Sequence, residues 1–252
     1  MPQISEKAII DPGATIAEDV SIGPFCYIGP NVRIGPGCRI ANNVTIVGNT
    51  TLGEQNRLFP MAVIGTSFTD EENGVCVIGN ANTIREHVTI YAGVSDNPTT
   101  VGRNNLIMIA SQVGAGANLG DHGIFANSTN IGPCSRIEDY VRTSAFSFID
   151  DGITLGAYSF TAGYTHVNRN APPFAMLQGA PYRVRGANSH NLKACGFGEK
   201  DIKDIKLALR ELYNSSHMLD TEVLEKMKAR ENVNQYVQSL LKSLSADVES
   251  GS

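Results

Sequence analysis

The chain has 252 residues, 42% of them apolar and 18% charged, enough to bury a core in one or two domains. A net charge of −5 leaves no basic surplus for neutralising phosphates, which argues against a general nucleic-acid binder, and no apolar run is long enough for membrane insertion. Five cysteines without CxxC spacing, together with a polar start (Gln3, Ser5, Glu6, Lys7) that lacks the apolar stretch of a secretion signal, lead us to expect reduced thiols and a cytoplasmic protein.

From the first residues a six-residue ladder runs through the sequence. Aliphatic side chains stand at Ile10, Ile16, Ile22, Ile28, Ile34, Ile40, Ile46, Leu52, Leu58 and Ile64 without a slip. The ladder resumes at Ile78, Ile84 and Ile90, and again from Val101 through Ile107, Val113, Leu119, Phe125 and Ile131 to Ile137, then continues to Val167. Thr143 and Thr161 occupy aliphatic slots and are soft spots. Glycine often follows the aliphatic residue, as at Gly23, Gly35, Gly114, Gly120 and Gly132, and small or β-branched residues such as Ala14, Val20 and Cys26 sit four places after it. A period of six fits neither a continuous helix nor a flat strand, but it fits a short strand plus a turn. Three such units close a coil of 18 residues, so each residue stacks on its counterpart one strand spacing, about 4.8 Å, away. The fold class is therefore a parallel β-helix with the aliphatic ladder inside.

Interruptions at 65–77 and 91–100 read as loops leaving the prism, and such excursions often carry function. Pro172-Pro173 is expected to end the ladder, because proline cannot donate to another strand. We therefore divide the chain into a β-helix, 1–170, and a small C-terminal α-helical domain, 171–252. In the latter, Ile202, Ile205, Leu209 and Leu212 share one face from Glu199 on, and further helices are expected near 219–230 and 233–246. Lys203, Lys206 and Arg210 form a basic stripe that could meet an acidic partner, but Asp201, Asp204 and Glu211 interleave with it, and a solvated face is the simpler reading. An open coil end and exposed amphipathic helices both need cover, which three copies about a threefold axis would supply.

The ladder length, the two loop positions, Ile84-Arg85-Glu86-His87-Val88-Thr89-Ile90, Asn105-Leu106-Ile107-Met108, Pro172-Pro173, Gln178-Gly179 and Gly196-Phe197 before three helices together resemble the UDP-N-acetylglucosamine acyltransferases. The resemblance implies a left-handed prism and a homotrimer. It also implies clefts between subunits, where an acyl chain passes from acyl carrier protein to a hydroxyl of the nucleotide sugar, with no cofactor and no metal. It implies a histidine base and a backbone N–H for the oxyanion. Aligned on the ladder, the base position falls on Ala115, which cannot carry a proton, and the oxyanion position on Pro133, which has no N–H. The family's supporting histidines fall on Gln112, Cys134 and Asp150, a loop lysine on Glu72, and an arginine pair on Ala194 and Cys195. Gln178 and Asn188 in the nucleotide region match, as does Gly163, where side-chain size limits acyl length. Loss of a base costs roughly 100- to 10,000-fold and loss of an oxyanion donor roughly 100- to 1,000-fold, so the resemblance implies a diverged member.

Other residues could carry the chemistry. His122 lies one face round from Ala115 and is a replacement base only for an acceptor held differently; otherwise it is a surface histidine near a subunit seam. Cys134 is a candidate nucleophile or acyl acceptor, set against a small apolar filler. Asp150 and Asp151, if on a strand, point to opposite faces. His87 and His122 lack a third zinc ligand. His166 reads as a cap on the last coil, and Arg85 as a holder of a loop carboxylate or a substrate contact. Three readings follow: a binding protein that keeps the cleft, an acyltransferase with a changed acceptor or base, and a structural partner of an active paralogue.

Overall fold

The computed structural model describes residues 2–67, 74–213 and 218–250. The repeats form a three-walled prism. The first wall holds eleven strands, the second nine and the third eight, and the chain visits them in turn, so sequence neighbours are on different walls while strands one coil apart pair in parallel. Most strands are two residues long, the first facing out and the second in, as with Arg39–Ile40 and Gln112–Val113. The inward residues Ile28, Ile46, Ile64, Ile90, Val113, Ile131, Ile149 and Val167 are all buried and form one column of the core. Burial of each such side chain stabilises the fold by about 1.5–3 kcal/mol, which is the force that fixes the six-residue spacing.

Turn chemistry follows from how closely coils stack. At Gly132 an added Cβ would lie 2.7 Å from the backbone of both Asp150 and Asp151 one coil on. Strands in regular coils pair 18 positions apart, as Arg39 does with Arg57. Arg57 instead pairs with Thr83 and Thr83 with Leu106, so the two interruptions are absorbed as insertions that leave the register intact. Across them runs a buried amide column: the side chain of Asn56 accepts from the Asn82 N–H (2.9 Å), that of Asn82 from the Asn105 N–H (2.9 Å), and that of Asn105 from the Gly123 N–H (2.6 Å). The threonines in aliphatic slots are satisfied in pairs, Thr143 with Thr129 at 2.7 Å and Thr161 with Ser147 at 2.8 Å. The soft spots are hydroxyl-bonded core.

One expectation holds for two walls and not for the first: no described strand of the second or third wall follows Pro172-Pro173. In the first wall both prolines are buried, Pro173 and Phe174 make a turn, and Ala175–Gln178 then pairs in parallel with Phe160–Thr161. Prolines cost nothing at turn positions, where the ladder needs no N–H. Arg183–Ala187 returns antiparallel to Ala175–Gln178. Helix α1 (Ser189–Ala194) follows, then α2 (Glu199–Leu212), α3 (Thr221–Lys228) and α4 (Gln235–Ser250). The hairpin and α1 are additions to the elements expected; the other three helices stand where the apolar period placed them. Ile205, Leu209, Leu212, Leu224, Met227, Leu240 and Leu244 are buried and line their shared core. Helix α4 is tied to the top of the prism by Asn170, whose side chain donates to Asp247 at 2.9 Å.

Candidate functional site

The corners of the prism follow its walls, the first between the first and second walls, the second between the second and third, and the third between the third and first; the second corner gathers most of the residues in question. Both insertions leave from it: Val63–Thr66 on the second wall leads to Val75–Ile78 on the third, and Thr89–Tyr91 to Thr99–Val101. The same corner carries Ala115, then Pro133 and Cys134, then Asp150 and Asp151 in successive coils. The stacking is direct, since the Cys134 N–H donates to the Ala115 carbonyl (2.9 Å) and the Gly152 N–H to the Pro133 carbonyl (2.8 Å). Ala115 and Pro133 therefore share one column, half-buried; neither carries a titratable side chain, and Pro133 has no N–H. The second insertion folds back over the corner: the Asn97 side chain lies 3.4 Å from Cys134 Sγ, and Gly116 N–H donates to Thr99 Oγ1 at 2.8 Å. Glu72 lies outside the described residues.

Cys134 is exposed and in the left-handed backbone region, φ 56°, so it is not an apolar filler. The buried thiols are Cys26, Cys38 and Cys76; burial pushes Cys76 up to about 12. Asp150 and Asp151 are not on a strand, because Phe148–Ile149 has ended, and the turn aims them independently. Asp150 reaches up one coil to His166, with Oδ1 2.7 Å from Nε2. His166 stands on the last strand of the second wall. It sits on His166–Val167, paired with Phe148–Ile149 below, and Gly179 and Tyr182 bond its backbone from above. The Phe148 ring meets the imidazole edge-on, centroids 5.4 Å apart. Sequence reasoning missed this pair. Its signal was present in the 18-residue period, which puts His166 over Phe148, two residues before Asp150.

The other candidates are spread round the molecule. Gln112 faces outward on the second wall, three strands below His166 in the column Gln112, Asn130, Phe148, His166. Gly163 is exposed on the corner between the first and second walls, with no atom nearer than 3.5 Å to a Cβ placed there. Gln178 is exposed on the first wall and accepts from Arg185 Nε at 3.0 Å. Asn188 is buried and its side-chain amide donates to the Tyr158 carbonyl at 2.9 Å. Ala194 and Cys195 close helix α1, and burial raises the Cys195 thiol. His122 is on the third corner, where it stacks on Tyr140 at 4.7 Å, Tyr140 stacks on Tyr158 at 4.8 Å, and the column continues to Phe174. Arg85 is held by its neighbour Glu86 at 2.8 Å and lies over the Phe59 ring; the same ion pair lowers the Glu86 carboxyl. Among the described residues, no three His, Cys, Asp or Glu side chains come together as a metal site would require.

A parallel prism of six-residue repeats closed by a helical domain is the architecture of the hexapeptide transferases, and the six-repeat bacterial transferase hexapeptide model matches residues 1–35 and 13–48. Residues 171–251 match the second domain of UDP-N-acetylglucosamine O-acyltransferase. The chain is 37% identical over 226 residues to the acyl-[acyl-carrier-protein]--UDP-N-acetylglucosamine O-acyltransferase of Halorhodospira halophila, covering 87% of this chain and 88% of that protein. It is 36% identical to the protein of that description in Pseudomonas fluorescens, over 89% and 90% of the two chains. Among solved structures, LpxA from Acinetobacter baumannii superposes with a TM-score of 0.89 at 30% identity over 96% of each chain. The UDP-N-acetylglucosamine acyltransferase of Bacteroides fragilis superposes with a TM-score of 0.86 at 31% identity over 94% and 95%. The chain belongs to the UDP-N-acetylglucosamine O-acyltransferase family.

Proposed function

We propose that this protein is a diverged member of the family that binds an acyl-carrier-protein thioester and a nucleotide sugar in clefts between subunits, without running the family's transfer at the family's base position. The observation that supports the reading is that Ala115 and Pro133 stack in one column at the second corner, the two positions on which the family resemblance puts the base and the oxyanion donor. The ligand classes come from the relatives, whose description names an acyl carrier protein and UDP-N-acetylglucosamine. Gln112, Cys134, Asp150 and Glu72 are the candidate cleft residues, with Gly163 on the acyl path and Gln178 and Asn188 towards the nucleotide. The trimer is supported by their dispersal over different corners of one chain: a second copy is needed to face them across a common space. A left-handed winding, a division near residue 170 and a cytoplasmic location complete the proposal, supported respectively by the family resemblance, the helical-domain match from residue 171, and five free cysteines. No described helix is long and apolar enough to cross a membrane.

His122 as a replacement base is the weaker alternative, because its ring face is taken by Tyr140. The test incubates the purified protein with hydroxyacyl carrier proteins of varied chain length and UDP-N-acetylglucosamine. Its readouts are melting temperature, mass in solution and mass spectrometry of the sugar. The reading predicts a trimer whose melting temperature rises with acyl carrier protein, with no 3-O-acylated sugar formed. Transfer to the 3-hydroxyl that survives Ala115→Gly at the rate of the family's enzymes would sink it. Restoring the lost groups with Ala115→His and Pro133→Gly together is expected to raise that transfer above the wild-type background.

A further inference from the structure

We infer that His166, oriented by Asp150, is a catalytic base displaced up the prism from the vacated position, acting on an oxygen nucleophile that attacks an acyl thioester. The inference rests on the thioester-binding reading above and adds a reaction to it. Asp150 lies in the same corner column as Gly114 and Gly132 and stands two strands above Gly114, about 10 Å at the spacing of strands.

Three observations carry it. First, the pair has the geometry of an oriented base. With Nε2 donating to Asp150 Oδ1 at 2.7 Å, the neutral imidazole keeps its lone pair on Nδ1, which has no hydrogen-bond partner among the described residues. Second, the ring is fixed yet reachable. Phe148 packs on it edge-on and the N–H and carbonyl of His166 are bonded to Gly179 and Tyr182, while 41% of the His166 side chain and 37% of that of Asp150 remain exposed. Third, apolar surface suited to an acyl chain lies beside it. Phe146 and Tyr164 stack at 5.1 Å on the adjoining corner and are 52% and 75% exposed, Phe148 is exposed on the same wall, and Gly163 adds no side chain. Exposed aromatic surface gathered next to a carboxylate–imidazole pair is what a site for an acyl thioester needs, whereas a solitary surface ion pair needs neither neighbour.

The step balances without a further reagent. Nδ1 of His166 takes the proton of a hydroxyl or of water as its oxygen forms a bond to the thioester carbonyl carbon. The tetrahedral intermediate then breaks its C–S bond, and the departing thiolate takes the proton from the imidazolium. The products are the free carrier thiol and either an ester, when the nucleophile is a hydroxyl, or a carboxylic acid, when it is water. Asp150 touches neither reacting atom. It is a positioning residue that selects the tautomer and stabilises the imidazolium.

The test uses the full chain with hydroxyacyl carrier protein, with and without UDP-N-acetylglucosamine, and follows thiol release and the acyl product by mass spectrometry. Wild type is expected to release thiol in at least one arm. His166→Gln should lower kcat by about 100-fold or more while the affinity for the carrier protein holds, Asp150→Asn should lower kcat with KM unchanged, and added imidazole should restore part of the activity of His166→Ala. Acyl product on the sugar outside its 3-hydroxyl identifies a hydroxyl as the nucleophile, and free acid identifies water; both support the base, whereas 3-O-acyl sugar overturns the reading on which it rests. Carrier protein that binds but never loses its acyl group, or His166→Gln that turns over like wild type, overturns the base and leaves the binding reading intact. Carrier protein that does not bind overturns both.

Discussion

Gly132 sits where an inward strand meets the crowded second corner, and the room it leaves is decided by the coil above. A Cβ there would lie 2.7 Å from the Asp150 carbonyl carbon and from the Asp151 nitrogen, distances that side-chain atoms do not adopt without backbone movement. Gly132→Ala is therefore expected to cost about 1–3 kcal/mol in urea unfolding, and to lower any His166-dependent activity further because Asp150 is displaced. At this scale counting in eighteens made the stacking of Ala115 under Pro133 legible, while the family resemblance singled the two positions out. The same count puts His166 over Phe148, two residues before Asp150, but their contact is diagonal, from a strand residue of one coil to a turn residue of the coil below, and side-chain direction completes what spacing begins. The alternatives for Cys134, nucleophile or apolar filler, stayed open in the sequence for a related reason. Spacing places it in a corner, but only the left-handed backbone turns its thiol outward.

The three buried asparagines perform at the level of an element what the aliphatic ladder performs elsewhere. They stand at the third corner, in the column that carries Val20 and Cys38 in earlier coils, and they appear where insertions at another corner lengthen the coil. Each side chain accepts from one backbone N–H of the next coil and donates to a carbonyl, Asn82 to Gly102 at 2.9 Å and Asn105 to Gly120 at 2.9 Å. Amides thus pin the register of coils whose lengths differ. Asn82→Ala should leave the Asn105 N–H buried and unpaired and destabilise the protein by about 1–3 kcal/mol, read as a lower urea midpoint with the slope unchanged. The prolines teach the opposite lesson about an element. Two adjacent prolines in a sequence of strands look like a terminus, yet strands of two residues leave most of each coil as turn, and the turn accommodates them.

For the whole molecule, the junction between prism and helical domain is built on Tyr182, which is buried, donates to the Asn170 carbonyl at 2.5 Å and carries Arg169 over its ring at 4.0 Å. Burial pushes its phenol up to about 12 from an ordinary value of 10, and Tyr213 moves in the same direction for the same reason. The folded state holds these protons more tightly than the unfolded chain. The contribution of Tyr182 is therefore complete below pH 10 and is lost as pH rises through 12. The melting temperature should fall steeply over that window, with Tyr182 accounting for about 2–3 kcal/mol, and Tyr182→Phe should flatten the fall while lowering stability at neutral pH by about 1 kcal/mol.

The sequence by itself determined the prism, the positions of the two excursions, three of the four helices and the stacking of Ala115 under Pro133. All of these follow from periodicity and side-chain volume, which a single chain carries in its order of residues. Only the tertiary structure decided that both excursions and the acidic turn share one corner, that His122 is spent in an aromatic column, and that Asp150 finds His166. Those facts depend on which corner each turn occupies and which way its backbone rotates, and that is settled by how the coils pack on one another.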